Sequence, residues 1–393
     1  MPLAALILAD TGDSGGASKA ALPVAGQTLL EYQVRLAWAA GARHIVAMVD
    51  HIPPALVAAL DRLRDEDIAV QIARDAADAA DRIHPDERLL VIAAGAFAPG
   101  DVIAGFADRQ SSALLTFEAG AAPGFERIDS GESWAGFALV RGHDLRAIAP
   151  TLGDWDLAAT LIRAAVQQGG ERRRAGPADG IRHLAAADDA VAATRFLADS
   201  AGSEAPSPLM RLVSRFAGAP LAAHGMAASL PFELLSVVGP ALLAAAALLG
   251  GMGWLASGFV ALLAALIAND AAARIALGSM RRSGLTDWRH HLETGTLGFL
   301  LLASGMAASR DGLGWGAVVL ALWATVRLIE GEAAGRRWTA ELALVMLVAS
   351  VSGAPTIGLG IAIIGQYVAQ WWRPTFERSA KPAAPPAAGL PVK

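Results

Sequence analysis

The chain has 393 residues, of which 54% are apolar and 18% charged, whereas soluble domains hold about 45–50% and about 25%; one ordinary soluble domain is excluded. The formal charge of −5 is unevenly divided, with 18 Lys and Arg against 28 Asp and Glu in residues 1–205 and 14 against 9 in residues 206–393, as expected of two domains in two solvents. The absence of cysteine removes disulfides, Cys-ligated zinc, iron–sulfur clusters and thiol nucleophiles, and the acidic front half gives nucleic-acid binding no support.

The apolar run Leu3 to Ala9 begins without the basic region of a signal peptide, so the front half is expected in the cytoplasm. It ends in the loop Asp10-Thr-Gly-Asp-Ser-Gly-Gly-Ala-Ser. A helix over 29–40, an apolar run over 45–49, a helix over 54–64 and a third run over 68–72 follow, and this alternation predicts a parallel sheet with crossover helices. Further strands are expected at 89–94, 113–117 and 135–140, with helices near 101–109, 155–168 and 189–199. In such a sheet the loop after the first strand can offer backbone N–H groups to phosphate, which makes Gly12, Gly15 and Gly16 candidates; a plain glycine-rich surface turn is the bland alternative. The run Glu171-Arg-Arg-Arg174 reads as a solvated turn.

The next segment, Lys19-Ala-Ala-Leu-Pro-Val-Ala-Gly-Gln-Thr-Leu-Leu-Glu-Tyr, resembles the opening of the sugar-nucleotide nucleotidyltransferases. The resemblance implies a Rossmann-like domain of GT-A type, with the glycine loop (Gly15, Gly16) and Lys19 holding nucleotide phosphates and two aspartates holding magnesium or manganese. Both aspartate positions depart from the pattern. The middle strand ends Val91-Ile-Ala-Ala-Gly-Ala-Phe, and the closing motif falls on His183-Leu-Ala-Ala-Ala-Asp-Asp-Ala, leaving only Asp189 in place.

Pro208 to Ala217 sets Leu209, Leu212, Val213 and Phe216 on one helical face beside Arg211 and Arg215, which suits a helix on an anionic leaflet or a plain linker helix. Six apolar stretches follow, near 232–250, 252–273, 294–309, 313–330, 339–353 and 355–372, each of a size to cross a core of about 30 Å. Six spans are expected, or four with two buried or interfacial helices. The basic residues of 274–293, 331–338 and the tail put both termini on the cytoplasmic side of an inner membrane. Residues 374–393 read as a disordered tail.

A nucleotidyltransferase-like half joined to six spans is similar to the bifunctional inositol-phosphate cytidylyltransferase and CDP-alcohol phosphotransferase arrangement. The phosphotransferase motif, aligned on Ala273-Arg274, falls on Leu266, Asn269, Asp270, Ala273, Arg274, Ser283, Asp287 and His291. The resemblance implies metal ligation by Asn269, Asp270 and Asp287, nucleotide contact by Arg274, and catalysis by Asp287 with His291 as base. With so many acidic positions lost, these could equally be polar residues of a loop between spans.

The reading is therefore an α/β domain over 1–200, a linker and interfacial helix over 201–230, a six-helix transmembrane domain over 231–373 and the tail. Its expected partners are membrane lipids, a CDP-alcohol or other nucleotide, and a second copy or an active enzyme. The expected role is that of a non-catalytic relative in phospholipid or phospho-alcohol synthesis; the alternative is an active, metal-dependent, CMP-releasing transferase.

Overall fold

In a computed structural model, residues 2–10, 18–50, 52–119, 127–152, 155–200, 208–228, 232–280, 286–310, 315–330 and 339–371 are described. The chain forms two compact units, Met1–Ser203 with Arg215–Phe232 and Ala271–Ser283, and Glu204–Ser214 with Glu233–Asp270 and Gly284–Lys393.

The first unit is α/β. Its strands are β1 (Leu3–Asp10), β2 (Pro23–Val24), β3 (Gln27–Thr28), β4 (His44–Val49), β5 (Val70–Ala73), β6 (Arg88–Ile92), β7 (Ala96–Phe97), β8 (Ala113–Glu118), β9 (Glu132–Arg141), β10 (Glu171–Arg174) and β11 (Arg182–His183). Its helices are α1 (Leu29–Ala39), α2 (Pro54–Asp65), α3 (Ala76–Arg82), α4 (Gly100–Ala107), α5 (Gly142–Ile148), α6 (Leu157–Gln167), α7 (Ala187–Ser200) and α9 (Ala219–Ala227), the last preceded by α8 (Pro208–Val213) and a π-turn over Ser214–Gly218.

Seven strands make one sheet in the order β10-β8-β9-β6-β1-β4-β5. The pairs β1–β4, β1–β6, β4–β5 and β8–β10 are parallel, while β9 runs antiparallel to both β6 and β8. The expected parallel sheet holds for β1, β4, β5 and β6, and β9 departs from it, because apolar patterning marks a strand without marking its direction. The expected turn at 171–174 is also corrected. It is the edge strand β10, whose arginines ion-pair with Asp129 and Glu132 while its backbone pairs with β8; charge on an edge strand discourages further pairing.

Residues Ala4 to Ala9 of β1 are all buried, as both faces of the sheet are covered. One face packs Leu6, Leu8, Val46, Val91 and Ala138 against Ala79 of α3, Leu145 of α5 and Leu161 of α6; α1 and α2 lie against the sheet through their own contacts with β1, β4 and β5. Strand order reverses at β1, between β4 on one side and β6 on the other, which places the switch point of the sheet at the carboxyl ends of β1 and β6.

The second unit is helical. It contains α8, α10 (Phe232–Gly251, with Pro240 inside it), the first part of α11 (Leu255–Ser279), α12 (Thr286–Ala308), α13 (Trp315–Glu330), α14 (Thr339–Val351) and α15 (Pro355–Trp371). All six expected apolar stretches are helical, but among the described residues only α11 is both long and apolar enough to cross a membrane; the other apolar helices are shorter. The expected loop over 274–293 is corrected, since α11 runs on to Ser279 and α12 begins at Thr286. Leu243, Phe259, Leu262, Leu300, Met346 and Leu359 form the core. Small residues bring helices together there: a side chain at Gly305 would stand 2.6 Å from Ala321 Cβ, and one at Gly298 2.8 Å from Thr325.

Candidate functional site at the switch point

The carboxyl end of β1 leads into residues 11–17, which lie outside the described residues together with the candidates Gly12, Gly15 and Gly16. The chain resumes at Ser18 and a 3-10 turn over Lys19–Ala21, where Leu22 N–H donates to the Lys19 carbonyl at 3.1 Å. The β2–β3 hairpin then turns through Ala25 and Gly26, both at positive φ, the geometry of a tight two-residue hairpin turn. Ala25 N–H donates to Thr194 Oγ1 of α7 at 3.0 Å, which pins this hairpin to the closing helix of the unit.

Directly after the hairpin, Thr28 caps α1. Glu31 N–H donates to Thr28 Oγ1 at 3.2 Å and Thr28 N–H donates to Glu31 Oε2 at 2.8 Å, a reciprocal capping box. Glu31 is buried and also accepts from Arg62 Nε at 2.8 Å and Nη2 at 2.9 Å. Burial alone would raise its carboxyl, but the Arg62 hydrogen bonds, the Thr28 N–H and the charges of Arg35 and Arg62 outweigh it and hold the group below the usual range. Arg35, also buried, donates to Gln27 and, at 2.9 and 2.7 Å, to both carboxylate oxygens of Glu66.

From α1 two polar side chains reach the carboxyl end of β6. Gln33 Nε2 donates to the carbonyls of Ala96 (2.8 Å) and Ala93 (3.2 Å), and Tyr32 Oη donates to Ala98 at 2.9 Å while its ring stacks on Phe97 at 5.1 Å. Together they fix the turn that carries Gly95. Gly95 has φ +75°, and a Cβ there would lie 2.7 Å from the Leu184 carbonyl oxygen and 3.0 Å from His183 Nε2. No side chain, acidic or otherwise, can extend from this position without displacing β11. The imidazole of His183 stands beside the place a carboxylate would need.

Three polar groups lie in this stretch of the site. The Ser18 hydroxyl is buried with no hydrogen-bond partner among the described residues. Lys19 is half-buried and makes no ion pair among the described residues. His183 is lowered by burial first and then by the charge of Lys19, with Asp189 opposing. Asp189 itself is occupied: its Oδ2 accepts from the N–H groups of Ala185 (2.9 Å) and Ala186 (3.0 Å) at the start of α7. Sequence reasoning missed Ser18 and His183. An apolar strand ending in Ala-Ala-Gly where a ligand-binding side chain was sought was the available signal.

The residues expected to form a membrane-side centre are distributed as follows. Asn269 is buried on α11, its Nδ2 donating to Glu293 Oε1 of α12 at 2.6 Å, and its Oδ1 fills the space over Gly239 that a Cβ would need. Asp270 Oδ2 accepts from Ser214 Oγ at 2.5 Å. Arg274, buried, donates to the carbonyls of Ala198 (2.5 Å) and Asp199 (3.5 Å) at the end of α7. His291 is exposed on α12, and the side chain of Asp287 lies outside the described residues. Among the described residues no group of three or more His, Asp or Glu converges as a metal site. The sequence reading also overlooked Glu293, an acid within reach of Asn269.

No protein-family model matches the chain, and no curated protein matches it. Among solved structures, the inositol-1-phosphate CTP transferase from T. maritima is similar at 11% identity and a TM-score of 0.34, over 44% of this chain and 84% of that one. The class is defined by the strand order and helices of this chain itself: an α/β domain with a doubly wound, mainly parallel sheet, joined to an all-helical region.

Proposed function

We propose that this is a membrane protein whose nucleotidyltransferase-like α/β domain binds a phosphate-bearing ligand, a nucleotide or phospho-alcohol head group, at the switch point without transferring it. The observation that carries this is the pairing of Gly95 with His183 beside Lys19 and the Ser18 hydroxyl. Such donors suit an anion. They do not fit magnesium or manganese, which take oxygen ligands, since Gly95 can carry no carboxylate and Asp189 is committed to backbone N–H groups. Phosphoryl transfer depends on positioning and charge neutralisation by such ions, so the reading is of a binding domain in polar-lipid metabolism.

The membrane part of the proposal, six spans of the kind found in CDP-alcohol phosphotransferases, is supported by the surface of the helical region. Val238, Val260, Leu320, Val348, Ile361 and Ile364 are all exposed large apolar residues, and Gly298 and Gly305 allow close approach between helices inside; exposed apolar side chains on this scale are expected where lipid replaces water. The rival reading, an active CMP-releasing enzyme, draws on Asn269, Asp270, Asp287 and His291 and gains Glu293.

Calorimetric titration of the intact protein with CTP, with magnesium and with chelator, tests the proposal. The expected result is weak binding that is equal in both, tightens as pH falls and His183 protonates, and is lost in Lys19→Ala. Magnesium-dependent pyrophosphate or CMP release by the purified protein would overturn it.

A further inference from the structure

A cleft of about 490 Å³ lies between α7 and α9 in the first unit, lined by Val191, Arg195 and Asp199 from α7 and by Pro220, Ala223 and His224 from α9. Pro23 and Thr194 also line it, so it abuts the hairpin that follows Lys19 without including Lys19, Gly95 or His183. Arg195 and Asp199 stand one helical turn apart, a spacing that ordinarily favours pairing, yet they form no ion pair with each other, and the side chain of neither is engaged elsewhere among the described residues. The cleft thus presents a cation and an anion side by side, with His224 next to them and an apolar wall.

Its depth relative to a bilayer follows from what touches it. Met226 and Leu197, on the two helices that form the cleft, pack on the last turn of α11, where a Cβ at Gly278 would lie 2.9 Å from Met226 Cε and 3.4 Å from Leu197 Cβ. α11 is the helix long and apolar enough to cross a membrane, and on the reading that it crosses, its last turn stands at head-group level. Val191 of its lining is 41% exposed, and Leu221 of α9 and Phe216 of the turn before it are exposed apolar side chains at 47% and 70%; such residues bury readily in the acyl boundary.

We propose that this cleft docks the head group of a zwitterionic membrane phospholipid bearing a primary amine, with the phosphate on Arg195 and His224 and the ammonium on Asp199. The assignment rests on α11 crossing the bilayer. Charge complementarity selects the class: a purely anionic head group leaves Asp199 opposed to phosphate, and a quaternary amine offers Asp199 no N–H donor. The full chain, reconstituted in nanodiscs of phosphatidylcholine with a minor fraction of phosphatidylethanolamine or phosphatidylglycerol, is assayed for retained lipid by native mass spectrometry. Wild type retains the ethanolamine lipid in preference to both others. Asp199→Asn lowers the preference over phosphatidylglycerol about tenfold, and Arg195→Ala loses retention of the ethanolamine lipid by a similar factor, the worth of one hydrogen bond to a charged group. Arg195→Lys restores part of it, and Arg146→Ala, away from the cleft, changes nothing. Equal retention in wild type and both cleft variants overturns the proposal, as does displacement of the lipid by soluble phosphoethanolamine at matching concentration. Failure of the membrane reading is seen separately, as release of the chain by alkaline carbonate without detergent.

Discussion

Glu31 shows how a single carboxylate organises the approach to the switch point. It accepts from Thr28 and Arg62 and lies 3.7 Å from Arg35, all while fully buried. Its folded-state carboxyl is held below its unfolded value, so its contribution is complete above about pH 4.5 and is lost as pH falls through the folded value. Glu31→Gln should cost about 3 kcal/mol, the usual loss on breaking a buried ion pair, and should flatten the acid limb of a thermal-midpoint profile below about pH 4.5. A variant with an unaltered acid limb would show that other carboxylates set it. Gly95 makes the second prediction at this scale. Gly95→Ala strains a positive φ and drives Cβ against the Leu184 carbonyl, which should cost about 2 kcal/mol and lower the midpoint by roughly 4–8 °C. Gly41→Ala, also at positive φ but with open space around it, should cost less.

Among the elements, those with long apolar runs were legible in the sequence. β1, β4 and β6 are buried on both faces and read as continuous hydrophobic segments, and α1 carries its own cap in Thr28 and Glu31. β10 was not legible, because three consecutive arginines describe a solvated edge and conceal a backbone paired with β8. α3, with its run of Ala and Asp, gives too short a period to read. Of the candidate site, Lys19 was legible from its place after the glycine loop, whereas His183 reaches it only through the β7–β11 pairing of Phe97 with Arg182, two strands far apart in sequence. Arg274 belongs to this scale as well, since it satisfies carbonyls at the end of α7. Arg274→Ala should therefore lower the stability of the intact protein by about 2 kcal/mol, measured by thermal unfolding, and leave nucleotide affinity within twofold or so. A stable variant that has lost nucleotide binding would instead restore Arg274 as a ligand contact.

At the scale of the whole molecule, the proposed membrane environment rests on the apolar surface of the helical region. Reporter fusions after Lys393 and at Asp311 are expected on opposite sides of the membrane, the first cytoplasmic, because Lys and Arg collect in the connections assigned inside. Both reporters on one side would reduce the number of crossings, leaving α11 as the helix whose length and composition allow one. The division into two domains was read from charge and hydropathy alone, and neither reveals that the first compact unit draws on three separate pieces of chain.

That discontinuity sets an order of events on the ribosome. The carbonyls at the end of α7 wait for Arg274, 76 residues downstream of Ala198, and the amide of Gln27 waits for the Ser279 carbonyl, 252 residues away. At about 5–20 residues per second the first of these gaps alone lasts roughly 4–15 s. During that interval the nascent α/β sheet can form, but two of its buried polar contacts have no partner until α11 has been synthesised. Completion of the α/β fold is thereby timed by delivery of a hydrophobic helix, so that a chain stalled before residue 280 would present quality control with a domain whose last seams are still open.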